Sequence, residues 1–164
     1  MIFDFGAGTG RLSIASAYFL PKYVISIDID FLALKILKEN IDRLQLDHII
    51  FPLCGDIKNL ELSKQFLSKI KRITTIMNPP FGVQTSRADR SFLKKAFEFS
   101  DVVYSIHLAN EKVHNFIVNF IKVSNWQIDY YFPFKLKLDK TYEFHSQKTK
   151  KIDVTIYRFI KTRY

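Results

Sequence analysis

The sequence predicts a doubly wound α/β fold, in which a mostly parallel seven-stranded sheet ends in an antiparallel hairpin. Short apolar runs alternate with amphipathic helical patterns through most of the 164 residues, and this alternation builds parallel strands joined by crossover helices. A glycine-rich turn follows the first run, and two longer strand-like segments close the chain. The sequence contains no repeat, linker or low-complexity tract, so we predict one domain, residues 1–164, with a full hydrophobic core.

The predicted elements follow one another in a regular order. Residues 31–44 give the clearest helix, because apolar residues recur at helical spacing between Leu32 and Ile41. The parallel strands are predicted at residues 1–5, 23–30, 48–56, 73–77 and 101–108. The helices are predicted at residues 11–18, 31–44, 61–70, 89–100 and 111–124. The hairpin strands are predicted at residues 126–138 and 151–160, and the long polar connection between them is typical of a functional loop.

The composition indicates a polyanionic partner. The formal net charge is +9 and the pI is about 9.6, which suits RNA or DNA, although a basic surface also serves solubility. A single cysteine, Cys54, excludes an internal disulfide and suits the cytoplasm. No apolar run reaches the roughly 18 residues of a membrane span. We therefore expect a cytoplasmic protein with no membrane association and no signal peptide.

The chemically informative residues fall at the carboxyl ends of the predicted strands. In a doubly wound sheet, ligands bind outside these ends, near the point where the strand order reverses. Each residue alone has a structural explanation, because glycines make turns and aspartates cap helices, but together on one rim they predict a site. The residues are Asp4 with Gly6, Gly8 and Gly10 after the first strand, Asp28 after the second, Asp56 after the third, and Asn78, Pro79, Pro80 and Phe81 after the fourth.

The glycines and the acids fit a nucleoside cofactor. Glycines allow a tight turn and a close approach to a ligand, and the helix behind them offers free N–H groups. The spacing differs from the GxGxxG fingerprint, and no Lys-Ser/Thr follows as in a P-loop. Asp28 can accept both hydroxyls of a ribose, and Asp56 can accept from an adenine amino group. Asp30 is the neighbouring candidate for the ribose, but its position before a helix favours a capping role. Because no place for a pyrophosphate is evident, S-adenosylmethionine fits better than NAD.

The turn of Asn78, Pro79, Pro80 and Phe81 suits the methylation of an amino group. A nucleobase amino nitrogen attacks poorly, because its lone pair is delocalised into the ring. The side-chain carbonyl of Asn78 and the backbone carbonyl of Pro79 can each accept one N–H, and both bonds strengthen as the nitrogen becomes positive. The prolines hold these acceptors in place, and Phe81 can stack on an extruded base. The alternative is a proline-stiffened turn with a buried phenylalanine.

With these motifs the chain resembles the class I S-adenosylmethionine-dependent methyltransferases that act on amino groups, and most closely the family of methyltransferase-like protein five and its archaeal relatives. The resemblance covers residues 2–160 and rests on DFGAGTGRLSI, IDIDFLAL, GDI, IMNPPFG, DRSFLKKAFE, VYSIH and YEFHSQKTKKIDVTIYRF. It implies a Rossmann-like methyltransferase fold and N6 methylation of an adenosine in small-subunit ribosomal RNA. It assigns Asp4 and the three glycines to the methionine end of the cofactor, Asp28 to the ribose and Asp56 to the adenine. The Asn-Pro-Pro-Phe turn becomes the catalytic element.

The resemblance also implies features away from this turn. Members of the family work with a small zinc-binding activator protein docked along a sheet edge, and a helical segment precedes their first strand. Here Met1 already lies in the first strand, so we expect that amino-terminal segment to be missing. One family-specific segment lies near the target nucleotide, and a basic cluster follows it that can contact phosphates or simply face solvent. The candidate RNA contacts are Tyr142, Phe144, His145, Lys148, Lys150 and Lys151.

Other functions remain open on the sequence alone. A protein glutamine-N5 methyltransferase uses a similar turn, and so do DNA adenine and ribosomal guanine-N2 methyltransferases. A non-catalytic RNA-binding module is a fourth possibility if the short amino terminus is real. The positive charge favours nucleic acid over protein, and the chain has no separate domain for recognising a DNA sequence.

Some reactive residue types carry no functional prediction. The four histidines have no metal-ligand spacing with a cysteine, so we predict no metal site in this chain. Cys54 and Trp126 both fall within predicted strands, and we expect both to be core residues.

Overall fold

The computed structural model describes residues 1–80, 88–139 and 149–162, and in these ranges seven strands form one sheet in the order β3-β2-β1-β4-β5-β7-β6. The strands are β1 (Ile2–Phe5), β2 (Val24–Asp28), β3 (Ile50–Cys54), β4 (Thr74–Met77), β5 (Val102–Leu108), β6 (Trp126–Asp139) and β7 (Thr149–Lys161). The helices are α1 (Arg11–Ala17), α2 (Phe31–Leu44), α3 (Lys64–Ser68), α4 (Ala88–Phe99) and α5 (Glu111–Ile121), with a 3₁₀ turn at Ile57–Asn59. The predicted doubly wound fold is confirmed.

The strand order reverses beside the first strand. β1 runs parallel to both β2 and β4, β3 extends one side and β5 the other, and β7 lies antiparallel between β5 and β6. Phe5 is level with Met77 in the register of β1 and β4. The glycine loop and the Asn78 turn therefore leave the sheet side by side, at the switch point where such folds bind ligands.

Local sequence explains the helices that frame this point. Asp30 caps α2, as predicted, because its Oδ1 accepts from the backbone N–H groups of Leu32 and Ala33. One stripe of α2 is buried at Leu34, Leu37 and Ile41, the pattern expected of a helix that covers one face of a sheet.

The sheet buries a different apolar cluster on each face. Phe3 and Phe5 enter the larger cluster with Met77, whereas Ile2 and Asp4 face α1 and α2, because successive strand side chains point to opposite faces. Trp126 belongs to the larger cluster and is 4% exposed, with its ring stacked on Phe97 at a centroid separation of 4.3 Å. Its predicted place in the core is confirmed.

The prediction that Cys54 is a core residue is wrong. Cys54 is exposed, because β3 is an edge strand and only its first residue, Ile50, is buried. In the described ranges, no helix is both long enough and apolar enough to cross a lipid bilayer.

Candidate active site

The glycine loop after β1 folds as a tight left-handed turn. Gly6, Gly8 and Gly10 all have positive φ, at 74°, 53° and 90°, a region that residues with a Cβ rarely enter. Two backbone bonds fix the loop: the N–H of Gly6 donates to Ile27 O at 2.9 Å, and the N–H of Gly10 donates to Ala7 O at 2.8 Å. The glycines therefore follow from the backbone shape that the loop must adopt.

The three glycines differ in what surrounds them. A Cβ on Gly10 would lie 2.1 Å from Leu37 Cδ1, and a Cβ on Gly6 would lie 3.1 Å from Phe92 Cε1. These two glycines let the loop pack closely against the helices. A Cβ on Gly8 would meet no atom within 4 Å. Gly8 therefore borders open space, where a ligand can approach the backbone.

Asp28 is held in place at the end of β2 by backbone donors. Its Oδ2 accepts from the N–H of Gly8 at 2.7 Å, and its Oδ1 accepts from the N–H of Asp30 at 2.9 Å. The two bonds orient this half-buried carboxylate. Each oxygen keeps a further lone pair that can accept from a ligand. This geometry fits the ribose hydroxyls that the sequence assigned to Asp28.

Asp4 is a buried carboxylate with one oxygen still unpaired. Its Oδ2 accepts from the hydroxyl of Ser13 at 2.6 Å, and that hydroxyl lies 2.7 Å from Ser26 Oγ. Its Oδ1 is buried and has no hydrogen-bond partner among the described residues. Burial raises the pKa of Asp4 to about 6, helped by the negative charge of Asp28 and opposed by the hydrogen bonds from Ser13. Such an orphaned oxygen fits a cationic ligand group, such as the ammonium of a methionine moiety.

A cavity of about 200 Å³ joins Asp4 and the glycine loop to Asn78. It is lined by Asp4, by residues of the glycine loop, by Arg11 and Leu12 at the start of α1, and by Asn78 at the end of β4. Asn78 is exposed and Pro79 is buried. The cavity thus places the Asn78 turn next to the loop that the sequence assigned to the cofactor. Phe81 lies outside the described residues.

Asp56 continues the rim beyond Asp28. Its Oδ1 caps the 3₁₀ turn by accepting from the N–H of Lys58 at 2.9 Å. The preceding N–H, of Gly55, donates to the backbone oxygen of Asp28 at 2.9 Å. The ends of β2 and β3 are therefore tied together, and Asp56 keeps its second carboxylate oxygen for a ligand.

The candidate RNA contacts cannot be related to this rim. Tyr142, Phe144, His145 and Lys148 lie outside the described residues. Lys151 is an exposed residue of β7, and Lys150 is described only as part of the backbone of that strand.

Sequence reasoning missed the residues that support Asp4. Ser13 and Ser26 are fully buried and form a hydrogen-bonded chain with its carboxylate. The sequence offered one signal for them: Ser26 is a polar residue within a strand predicted to be buried. Thr9 and Arg11, which also line the cavity, were not singled out either.

The strand order and the rim of glycines, acids and Asn78 define a class I methyltransferase, the class that takes its methyl group from S-adenosylmethionine. The chain belongs to the TRM5/TYW2 methyltransferase domain family, which matches residues 1–115. This finding confirms the methyltransferase resemblance that the motifs suggested.

Individual relatives agree with this assignment. The chain is 35% identical to an uncharacterized protein of Methanocaldococcus jannaschii, over 98% of this chain and 74% of the relative. It is 31% identical to the rRNA N(6)-adenosine-methyltransferase METTL5 of Danio rerio, over 99% of this chain and 76% of the relative. A crystal structure from Pyrococcus horikoshii, assigned as an RNA methyltransferase, superposes with a TM-score of 0.84 at 37% identity. That match covers 99% of this chain and 74% of the solved one.

Proposed function

We propose that the protein is an S-adenosylmethionine-dependent adenine-N6 methyltransferase that acts on RNA, with small-subunit ribosomal RNA as its substrate. The observation that carries the proposal is the cavity shared by Asn78 and the glycine loop. This cavity brings an amide acceptor next to the proposed cofactor site, as methyl transfer to an amino group requires. The similarity to a relative named as an rRNA N(6)-adenosine-methyltransferase supports adenine in ribosomal RNA. The net charge of +9 supports a nucleic acid over a protein.

The rim offers a partner for each part of the cofactor, which supplies an electrophilic methyl group when bound. Asp4 Oδ1 and the backbone of the glycine loop hold the methionine end. The oriented carboxylate of Asp28 accepts from the ribose hydroxyls, and Asp56 accepts from the adenine amino group. Gly8 is half-buried and borders open space, so the ligand can lie against the loop there.

The Asn78 turn holds the target amino group. The Oδ1 of Asn78 and the carbonyl oxygen of Pro79 each accept one N–H, and Phe81 stacks on the base. The two bonds strengthen as positive charge develops on nitrogen, so they stabilise the transition state more than the ground state. No strong base is needed, because the amino proton becomes acidic only after the methyl group has arrived. Tyr142, Phe144, His145 and the lysines at 148, 150 and 151 stay our candidate RNA contacts.

A zinc-binding activator protein at a sheet edge is part of the proposal. Both edge strands of the described sheet expose large apolar side chains, and an uncovered strand edge invites a partner. On β3 these are Phe51 and Leu53, and on β6 they are Tyr130, Tyr131, Phe132 and Phe134.

Calorimetric titration with S-adenosylmethionine, followed by a methylation assay on small-subunit ribosomal RNA, tests the proposal. Asn78→Ala should bind the cofactor nearly as the wild type does and lose at least about 100-fold in kcat, the scale for removing one charge-stabilising group. Asn119→Ala, which alters an exposed amide on α5, is the matched control and should keep full activity. Wild-type turnover by Asn78→Ala would refute the role of the turn. If the protein instead methylates a glutamine side chain, DNA or the N2 of guanine, adenine in RNA is not its target.

A further inference from the structure

We propose that a basic groove along the amino edge of the parallel strands binds the phosphate backbone of RNA. This edge lies opposite the Asn78 turn, because Lys22 comes just before β2 and Arg72 just before β4. A cavity of about 680 Å³ opens there. We call this cavity the basic groove; it is lined by Lys22, Lys69, Lys71 and Arg72, by the rings of Tyr23 and Phe66, and by Met1 and Ile70.

In the described part of the chain, no carboxylate neutralises the four cations of the groove. All four residues are exposed, and within the described ranges none forms an ion pair with a carboxylate. No aspartate or glutamate is among the described residues that line this cavity. Like charges that converge on one concave surface repel each other and attract an anion. Polyanion binding would release the counterions that now screen them.

The groove continues beyond this first cavity. A second cavity, of about 740 Å³, shares Lys71 and Arg72 with the first and reaches Lys161 at the end of β7. Asp101 is the one acid among its described lining residues, against four cations: Lys71, Arg72, Arg158 and Lys161. The positive surface is thus extended, which suits a polymer with regularly spaced phosphates better than one small anion.

Aromatic rings stand among these cations. Tyr23 and Phe66 are each 40% exposed. Tyr23 is held edge-on against Phe51, with 5.6 Å between ring centroids, and the Nζ of Lys22 lies 5.4 Å from the centroid of Tyr23. Aromatic faces that alternate with cations are the features by which proteins hold unstacked bases next to their phosphates. This combination favours RNA over an anionic lipid surface as the partner.

The position of the groove sets the size of the ligand. β4 spans the sheet from the groove to the Asn78 turn with four residues, so the two sites are about 13 Å apart or more. A structured RNA can reach both, whereas an isolated nucleotide cannot. The inference rests on the RNA substrate proposed above and assigns a second, non-catalytic contact to the same molecule.

Two double variants test the groove. Lys69→Gln with Lys71→Gln removes two charges from it. Lys35→Gln with Lys122→Gln removes two charges from exposed positions on α2 and after α5, and serves as the matched control. The affinity for a labelled hairpin RNA is measured by fluorescence anisotropy between about 50 and 200 mM salt. The groove variant should lower the slope of log K against log salt by about 1.4 to 1.8, the value for two lost phosphate contacts. The control should keep the wild-type slope, and equal slopes in the two variants would overturn the proposal.

Two further readouts separate this inference from the proposed function. In the methylation assay the groove variant should raise KM and keep kcat, and its calorimetric titration with S-adenosylmethionine should match the wild type. Suppose that the wild-type protein methylates no RNA, but binds RNA and loses that binding in the groove variant. This result would support the groove and refute the catalytic proposal. Methylation with RNA binding that is the same in both variants would refute only the groove. The protein can also be sedimented with phosphatidylserine vesicles. If this binding depends on Lys69 and Lys71 while RNA binding does not, the groove binds a membrane and the RNA proposal is overturned.

Discussion

Alanine at Gly8 and alanine at Gly10 should separate cofactor binding from folding. Both glycines have positive φ, so each substitution costs about 1 kcal/mol for the left-handed backbone conformation. The two glycines differ in the space around the new methyl group. The new methyl group at Gly8 meets nothing within 4 Å, whereas the one at Gly10 lies 2.1 Å from Leu37 Cδ1.

The expected free energies follow from this difference. Leu37 is fully buried, so Gly10→Ala must displace a packed side chain at a further cost of about 1–3 kcal/mol. We therefore expect Gly10→Ala to lose about 2–4 kcal/mol of unfolding free energy, a large share of the roughly 5–15 kcal/mol of an ordinary domain. Gly8→Ala should lose only about 1 kcal/mol. Its methyl group, however, enters the space assigned to the methionine end of the cofactor, and we expect a drop in affinity of about tenfold or more.

Urea unfolding followed by the fluorescence of Trp126, the only tryptophan, measures the first quantity, and calorimetric titration with S-adenosylmethionine measures the second. Gly55→Ala is the control, because a Cβ there also meets nothing within 4 Å and the residue does not have a positive φ. It should change stability by less than about 0.5 kcal/mol. Wild-type cofactor affinity in Gly8→Ala would refute our placement of the ligand. A Gly10→Ala variant as stable as Gly8→Ala would refute the packing argument.

Three further predictions concern the core and the buried acid. Asp4→Asn should be more stable than the wild type at neutral pH, because burial raises the pKa of Asp4 to about 6. The free-energy cost of burying the ionised carboxylate is up to about 3 kcal/mol above pH 6, and it disappears as the pH falls towards 4. Urea titrations of both proteins at neutral pH and near pH 4 measure this gap, and a gap that does not depend on pH would contradict the prediction. Ser13→Ala should cost about 1–3 kcal/mol at neutral pH, because it removes the hydroxyl that donates to Oδ2 of the buried Asp4; a loss no larger than that of Ser68→Ala, an exposed helix serine, would argue against it. Phe97→Ala should cost about 3–5 kcal/mol and shift the emission of Trp126 to longer wavelength, because it removes the ring stacked on the indole; an unchanged emission spectrum would count against this packing.

The order of the elements and the rim of the site could be predicted because both depend on local pattern. Alternating strands and helices fix the parallel arrangement, and the carboxyl ends of parallel strands must share an edge. Asp4, the glycine loop and Asn78 could therefore be placed near one cavity without knowledge of side-chain packing. Asp30 was recognised as a cap because its position before an apolar helical pattern is a local signal.

Properties that depend on strand order or on three-dimensional packing could not be predicted. Cys54 lies in a strand-like run, but its exposure follows from the place of β3 at the edge of the sheet, which no local pattern encodes. The predicted helix at residues 61–70 is only α3, five residues long, because short apolar patterns do not set helix ends. The basic groove draws Lys22 and Lys71 together from segments far apart in sequence. Only the fold makes them neighbours.

The buried carboxylate of Asp4 lowers the stability of the free protein and, on the function we propose, favours cofactor binding. A carboxylate with an unpaired oxygen lowers the stability of the free protein, which is what its raised pKa reports. The fold nevertheless supports it with two buried serines that form no other part of the site. A cationic group that donates to Oδ1 would recover this energy, so it would bind more tightly than at an exposed, already solvated acid. On this argument the affinity for S-adenosylmethionine should fall about tenfold for each pH unit below 6, as Asp4 takes up a proton. The affinity of Asp4→Asn should be weaker at neutral pH and should lose this dependence.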